Sequence, residues 1–237
     1  MDIQVQYRSA AGRTCRDEPA GLRGVPVEER EPLSEPRAYQ GRLSKLTEWT
    51  SATTGQSVWC ASTVQTDAAM LLDFDADVVC FQSRVVQLHW ETDGRCGTLE
   101  PAFMARTRGG QRLAIVYPPR DTSGVEEQVM RQAAGEAGWQ VRPLEVPQGV
   151  LRSSLRCAAH FRHTQITAPG ARELLLKVFA APRPLQAGAA ACGLGLKAPA
   201  YAWHLVWRGE LTCDWSKPLL PTSLVWASSR TAPDEER

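Results

Sequence analysis

Away from its two ends the chain changes apolar period several times, and each change marks an element. Ala61, Val64, Ala68, Leu71 and Leu72 recur at helical spacing behind Ser62, a residue type that caps helices. The spacing predicts a helix over about residues 62–72, ending at Asp73-Phe74-Asp75. Val78 to Phe81 and Val85 to Trp90 read as short strands, and Asp93-Gly94 as a hairpin turn into a strand near residues 97–105. After a turn at Arg108-Gly109-Gly110, the continuous apolar run Leu113 to Tyr117 has the character of a central strand. Ser123 is placed to cap a helix over 124–137, with Glu126 and Glu127 in its first turn and Gly138 at its stop. Trp139 to Leu144 supplies another strand. A helix, a meander, a buried strand, a crossover helix and a final strand make a mixed α/β sheet unit.

Beyond Pro147 the strand signals nearly vanish. Leu151 to Phe161, Ala171 to Phe179, Leu185 to Cys192 and Pro199 to Trp207 read as helices, and Gly209 separates the last from two short β-like pieces, Leu211 to Trp215 and Ser223 to Trp226. Helices closed by a terminal hairpin are the pattern of a winged helix, and of small helical packing domains with no nucleic-acid role. Residues 1–40, with Glu28-Glu29-Arg30-Glu31-Pro32, show little apolar periodicity and read as flexible, as does the end from Ser228 to Arg237. The expected organisation is a tail over 1–41, an α/β domain over 42–147, a helical winged-helix-like domain over 148–227 and a tail over 228–237.

Composition is that of an ordinary globular chain of 237 residues, 43% hydrophobic and 22% charged. The net charge of +1 conceals an asymmetry: residues 1–150 hold 16 basic and 20 acidic side chains, residues 151–237 hold 11 and 6. The second part therefore has the sign that suits a phosphate backbone, although an ordinary solvated surface could carry the same excess. Only four of the 27 basic residues are lysine, as in proteins of GC-rich bacterial genomes. Seven scattered cysteines without a Cys-x-x-Cys pair give no disulfide framework or zinc site. No apolar run reaches the roughly 20 residues of a membrane span, and the N-terminus lacks a signal peptide's apolar centre, so a cytoplasmic protein is expected.

Two separated blocks resemble one known family. Trp49-Thr50-Ser51-Ala52-Thr53-Thr54-Gly55 with Leu71 to Val79 is similar to the core of TnsA-like endonuclease subunits of heteromeric transposases. Phe179 to Leu185, His204 to Leu211 and Asp214 to Leu219 resemble the C-terminal domain of the same proteins, in the same order. The resemblance spans about residues 42–227. It implies a restriction-endonuclease-like fold that cuts DNA at transposon ends beside a separate transposase, using carboxylates to hold Mg²⁺ and a basic group near the attacking water.

The positions the family uses carry other residues here. The glutamate at the start of the first core helix falls on Ala61, beside Ser62 and Gln65; the aspartate after a proline falls on Ala102, after Pro101; the basic residue at the end of the next strand falls on Pro118. Alanine cannot ligate Mg²⁺ and proline cannot orient a water, so the resemblance implies a homologue that binds DNA and a transposase partner without cutting, and no cofactor. Mg²⁺ would return only with a migrated site, for which Glu100, Asp67 and Asp121 are the candidates. Glu100, two residues from Ala102 on the expected strand, would share its face. Asp73, Asp75 and Asp77 read as turn and cap residues. His160 and His163 near Cys157 lack a fourth metal ligand, and Gly193-Leu194-Gly195 has no preceding strand to make it a nucleotide cradle. Arg183, Lys197, Arg208 and Lys217 are the candidate DNA contacts. A third possibility is a protein-interaction module whose tryptophans, among them Trp203, Trp207, Trp215 and Trp226, form a core and docking face.

Overall fold

The computed structural model describes residues 1–35, 45–92, 94–118 and 124–229. The chain is mixed α/β and divides into two compact units, Met1–Glu145 and Val146–Arg237, each described here by itself.

In the first unit the strands are β1 (Asp2–Arg8), β2 (Thr14–Asp17), β3 (Thr47–Thr50), β4 (Ser57–Cys60), β5 (Val78–Gln82), β6 (Val86–Thr92), β7 (Arg95–Leu99), β8 (Phe103–Thr107), β9 (Arg112–Val116) and β10 (Gln140–Pro143). The helices are α1 (Thr63–Phe74) and α2 (Val125–Ala137). One sheet runs β10-β9-β8-β5, antiparallel except for the β9–β10 pair, which is parallel and joined through α2. A second sheet runs β2-β1-β6-β7, and β3 pairs with β4.

Ser62 caps α1 by accepting the Gln65 N–H at 3.1 Å. The α2 face made by Val129, Met130, Ala133, Ala134 and Ala137, at helical spacing, packs into a core with Ile3, Val5, Leu88, Met104 and Ala114. Gly138 ends α2 in the left-handed conformation that glycine adopts without strain. Ser123, expected to cap this helix, lies outside the described residues.

Two expectations are corrected. The segment read as a flexible tail contributes β1 and β2 to a sheet and buries Ile3, Val5, Leu22 and Val27. The alternation Ile3, Val5, Tyr7 is the period of a half-buried strand, short enough to be masked by the charged run after it. Only Ser228 and Ser229 of the expected C-terminal tail lie within the described residues.

The single strand expected near residues 97–105 is two strands in two different sheets, β7 and β8. Pro101, which has no N–H to give a ladder, sits in the break. Glu100 and Ala102 therefore do not alternate along one strand, and the shared face expected for them does not hold.

The second unit holds α3 (Gly149–Ala159), α4 (Ala171–Val178), β11 (Arg183–Pro184), α5 (Leu185–Ala191), α6 (Ala198–Trp207), β12 (Leu211–Cys213) and β13 (Leu224–Ala227). Its three strands form an antiparallel sheet in the order β11-β13-β12. Helix α6 is its centre: Tyr201, Ala202, Trp203, Leu205, Val206 and Trp207 are all buried. Phe161, just past α3, stacks on Trp203 with ring centroids 5.5 Å apart, and Thr167 meets Tyr201 oxygen to oxygen at 3.0 Å. Gly188 of α5 is required by close approach, since a Cβ there would lie 2.5 Å from the Phe179 ring. No described helix in the chain is long and apolar enough to cross a membrane.

Candidate functional site

One side chain joins Ala61 to Ala102, and the Ala102 backbone is in turn bonded to β9. Gln65 lies one turn into α1 and is 5% exposed. Its Oε1 accepts the Ala61 N–H at 2.7 Å and its Nε2 donates to the Ala102 carbonyl at 2.9 Å. The Ala102 N–H in turn donates to the Ile115 carbonyl on β9 at 2.7 Å. Three stretches distant in sequence therefore meet through neutral amide groups that satisfy one another. An amide at this junction leaves no buried donor or acceptor orphaned, an economy worth about 1–3 kcal/mol per group otherwise left unpaired.

The residues at this junction do not fit Mg²⁺. Two methyl side chains and an amide already spent on two backbone groups offer no carboxylate to a cation that demands oxygen ligands in octahedral array. Glu100, the nearest candidate substitute, accepts a hydrogen bond from Gln87 Nε2 at 2.9 Å and stands 3.8 Å from Arg84. Arg84 is held in place by backbone as well as charge. It is the one non-glycine with positive φ among the described residues, and its side chain reaches Ser34, with Nε to the carbonyl at 3.0 Å. Asp67 is 2% exposed within α1, and Asp121 lies outside the described residues. Among the described residues no three His, Cys, Asp or Glu side chains are grouped to hold a metal ion.

On the face of the sheet that α2 covers, a cleft of about 710 Å³ opens between α2, β7 and the ends of β9 and β10. Pro118 and Glu100 stand in its wall with Leu99, Val116, Tyr117 and Met130. Its charged lining is Glu100, Glu126, Glu127 and Arg131, and Arg131 is ion-paired with Glu127. A surface of this sign repels a phosphate backbone.

Two buried carboxylates of this unit were not singled out from the sequence for what they do. Asp73, read as a turn residue, accepts from Trp49 Nε1 at 3.1 Å, Ser51 Oγ at 2.7 Å, the Ala52 N–H at 2.9 Å and the Thr53 N–H at 3.1 Å. It thereby fastens α1 to the loop after β3. Residues 49–53 and the C-terminal turn of α1 are thus a single hydrogen-bonded unit. Glu28 is fully buried against Arg106 of β8 and Arg112 of β9, at 3.6 and 3.7 Å. Loss of solvent pushes its carboxyl above the usual range, with the two guanidiniums pulling the other way. The pair clamps the N-terminal segment onto the sheet.

In the second unit Arg183, Lys197, Arg208 and Lys217 are all exposed but not grouped. Arg183 is on β11, Lys197 precedes α6 and Arg208 follows it, which sets these two about 16 Å apart along the helix at 1.5 Å per residue. Lys217, between β12 and β13, is paired with Asp214 at 3.0 Å. The Ser216 hydroxyl first, and Lys217 with it, holds the Asp214 carboxyl down at about 2. Arg208 lines a cavity of about 480 Å³ with Arg172, Glu173, His204 and Glu210, where Arg172 Nε bonds Glu210 at 2.6 Å. The His160 ring nitrogen Nδ1 meets the Arg156 carbonyl at 2.7 Å, a contact within its own helix turn.

Compared with known proteins, the chain matches no family model and no curated protein.

Proposed function

We propose that the chain is a non-cutting homologue of TnsA-like transposase endonuclease subunits, which acts by binding DNA and a transposase-type partner. The observation that carries this reading is the order of elements about the Gln65 junction. Helix α1, the antiparallel strands β5, β8 and β9, the crossover helix α2 and the parallel strand β10, in sheet order β10-β9-β8-β5, support a restriction-endonuclease-like core with the β6–β7 hairpin inserted. In such a core the start of α1, the start of β8 and the end of β9 would surround the metal. Those places hold Ala61, Ala102 and Pro118, and the first two are bridged by the Gln65 amide instead of by a metal held on carboxylates.

The order α4-β11-α5-α6-β12-β13, with sheet order β11-β13-β12, supports the winged-helix-like reading of the second unit. The third helix of that order, α6, is the one that reads bases in winged helices, yet it is buried along almost its whole length. DNA contact by this unit is then contact with phosphates, through Arg183, Lys197, Arg208 and Lys217, and carries little base specificity.

Filter binding of the full chain to a duplex at rising salt tests this. With about four phosphate contacts, affinity should fall roughly a hundredfold between about 50 and about 200 mM salt, and equally for unrelated sequences. Replacing all four cations by alanine should abolish most of that slope. A chain with no DNA affinity at low salt would instead be a protein-interaction module.

A further inference from the structure

The cleft on the α2 face of the sheet has a chemistry of its own. Its apolar wall is Leu99, Val116, Tyr117, Met130, Val141 and Pro143, and its rim carries Glu100, Glu126 and Glu127. About 710 Å³ is far more than an ion needs and lies within the range of pockets that hold organic ligands. It lies beyond the carboxyl ends of β9 and β10, the parallel pair joined by α2, where open α/β sheets characteristically bind. One wall is β10, the edge strand of its sheet, exposed at every residue, with Val141 38% open to solvent.

We infer that this cleft docks an extended segment of a protein partner in which aliphatic or aromatic side chains alternate with lysine or arginine. The apolar wall takes the anchor side chains, Glu126 faces the cations from a rim that stays net negative with Glu100 paired to Arg84 and Glu127 to Arg131, and the edge of β10 offers main-chain hydrogen bonds to an added strand. Charge excludes the family's substrate from the same place: phosphates would meet Glu100, Glu126 and Glu127, while Arg131 is spent on Glu127. The inference concerns the first unit alone, so it stands or falls separately from DNA contact by the second.

The test uses the full chain and a fluorescein-labelled peptide that alternates lysine with leucine and phenylalanine, with a peptide of glutamate in place of lysine as control. Anisotropy should show binding of the lysine peptide only, weakening as salt rises. Glu126→Lys together with Glu127→Lys should weaken it about tenfold. Val141→Ser, at an exposed position, should weaken it with no change in melting temperature, which separates loss of the site from loss of the fold. Amide exchange should slow at residues 113–117 and 140–143 when the lysine peptide is added. Equal binding of both peptides, binding of neither, or an affinity indifferent to both variants would overturn the inference. So would protection of the same amides by duplex DNA, or by raised protein concentration without peptide, which would give the cleft to nucleic acid or to a second copy of the chain.

Discussion

The two units treat their polar groups in opposite ways. Of the ten buried polar or charged residues among those described, eight lie in the first unit and only Ser154 and Glu210 in the second. The first unit turns its carboxylates and amides inward, where Asp73, Gln65 and Glu28 each join distant pieces of chain. The second builds its interior from α6 and its aromatic neighbours, and leaves its cations on the surface. Asp73, whose oxygens take four donors, is a structural joint and not a reagent, while Glu28 is held by ion pairs to Arg106 and Arg112. On the proposed function, binding would then fall outside the Gln65 junction.

The largest expected effect comes from Glu28. Its removal opens a cavity at a fully buried position and leaves Arg106 with Glu29 alone, and Glu28→Ala should cost about 3 kcal/mol in chemical denaturation. Its pH dependence has a definite sign. A carboxyl raised by folding binds its proton more tightly in the folded than in the unfolded state. Its contribution is therefore complete below the unfolded value and lost as pH rises through the folded one. The melting temperature of the wild type, relative to Glu28→Gln, should decline across that window. A difference constant with pH would place Glu28 in an environment other than the buried one described.

Gly188→Ala sets the corresponding cost in the second unit. The added methyl would meet Phe179 at 2.5 Å, and overpacking of this kind costs about 1–3 kcal/mol. The loss should appear in a probe of the second unit, with the amide exchange of α1 and β9 unchanged if the units are independent in stability. Gln65→Ala, which leaves the Ala61 N–H and the Ala102 carbonyl without their partner, should cost about 1–3 kcal/mol in the first unit. The smallest effect expected is at Asp214. Asp214→Asn releases Lys217 from its pair and should strengthen DNA binding by about twofold at low salt, an increase that vanishes at high salt.

Much of the fold was legible where one period persists. Helices α1 and α2, the strand at Leu113 and all four helices of the second unit lie where the spacing placed them, within the margin by which boundaries shift. What the pattern hid depends on long-range partners. Glu28 sits in a charged run that reads as solvated, and its partners Arg106 and Arg112 follow about 80 positions later. Strand β1 is short and edged by polar residues, so its alternation is weak until β6 supplies the register Val5 to Leu88. The division of β7 from β8 at Pro101 was visible as a proline, but only the sheets reveal that the strands part there. The substituted positions could be named from the resemblance. That Gln65 bridges them could not, because nothing in the sequence fixes where a glutamine amide is spent.

The absence of cutting chemistry at the junction is the central claim, and supercoiled plasmid tests it most directly. With the full chain in excess and Mg²⁺ or Mn²⁺ present, the plasmid should be retarded on a low-salt gel but recovered supercoiled after the protein is removed. Nicked or linear product that depends on the metal and disappears in Glu100→Gln would contradict the account, and would make Glu100 part of a working nuclease site.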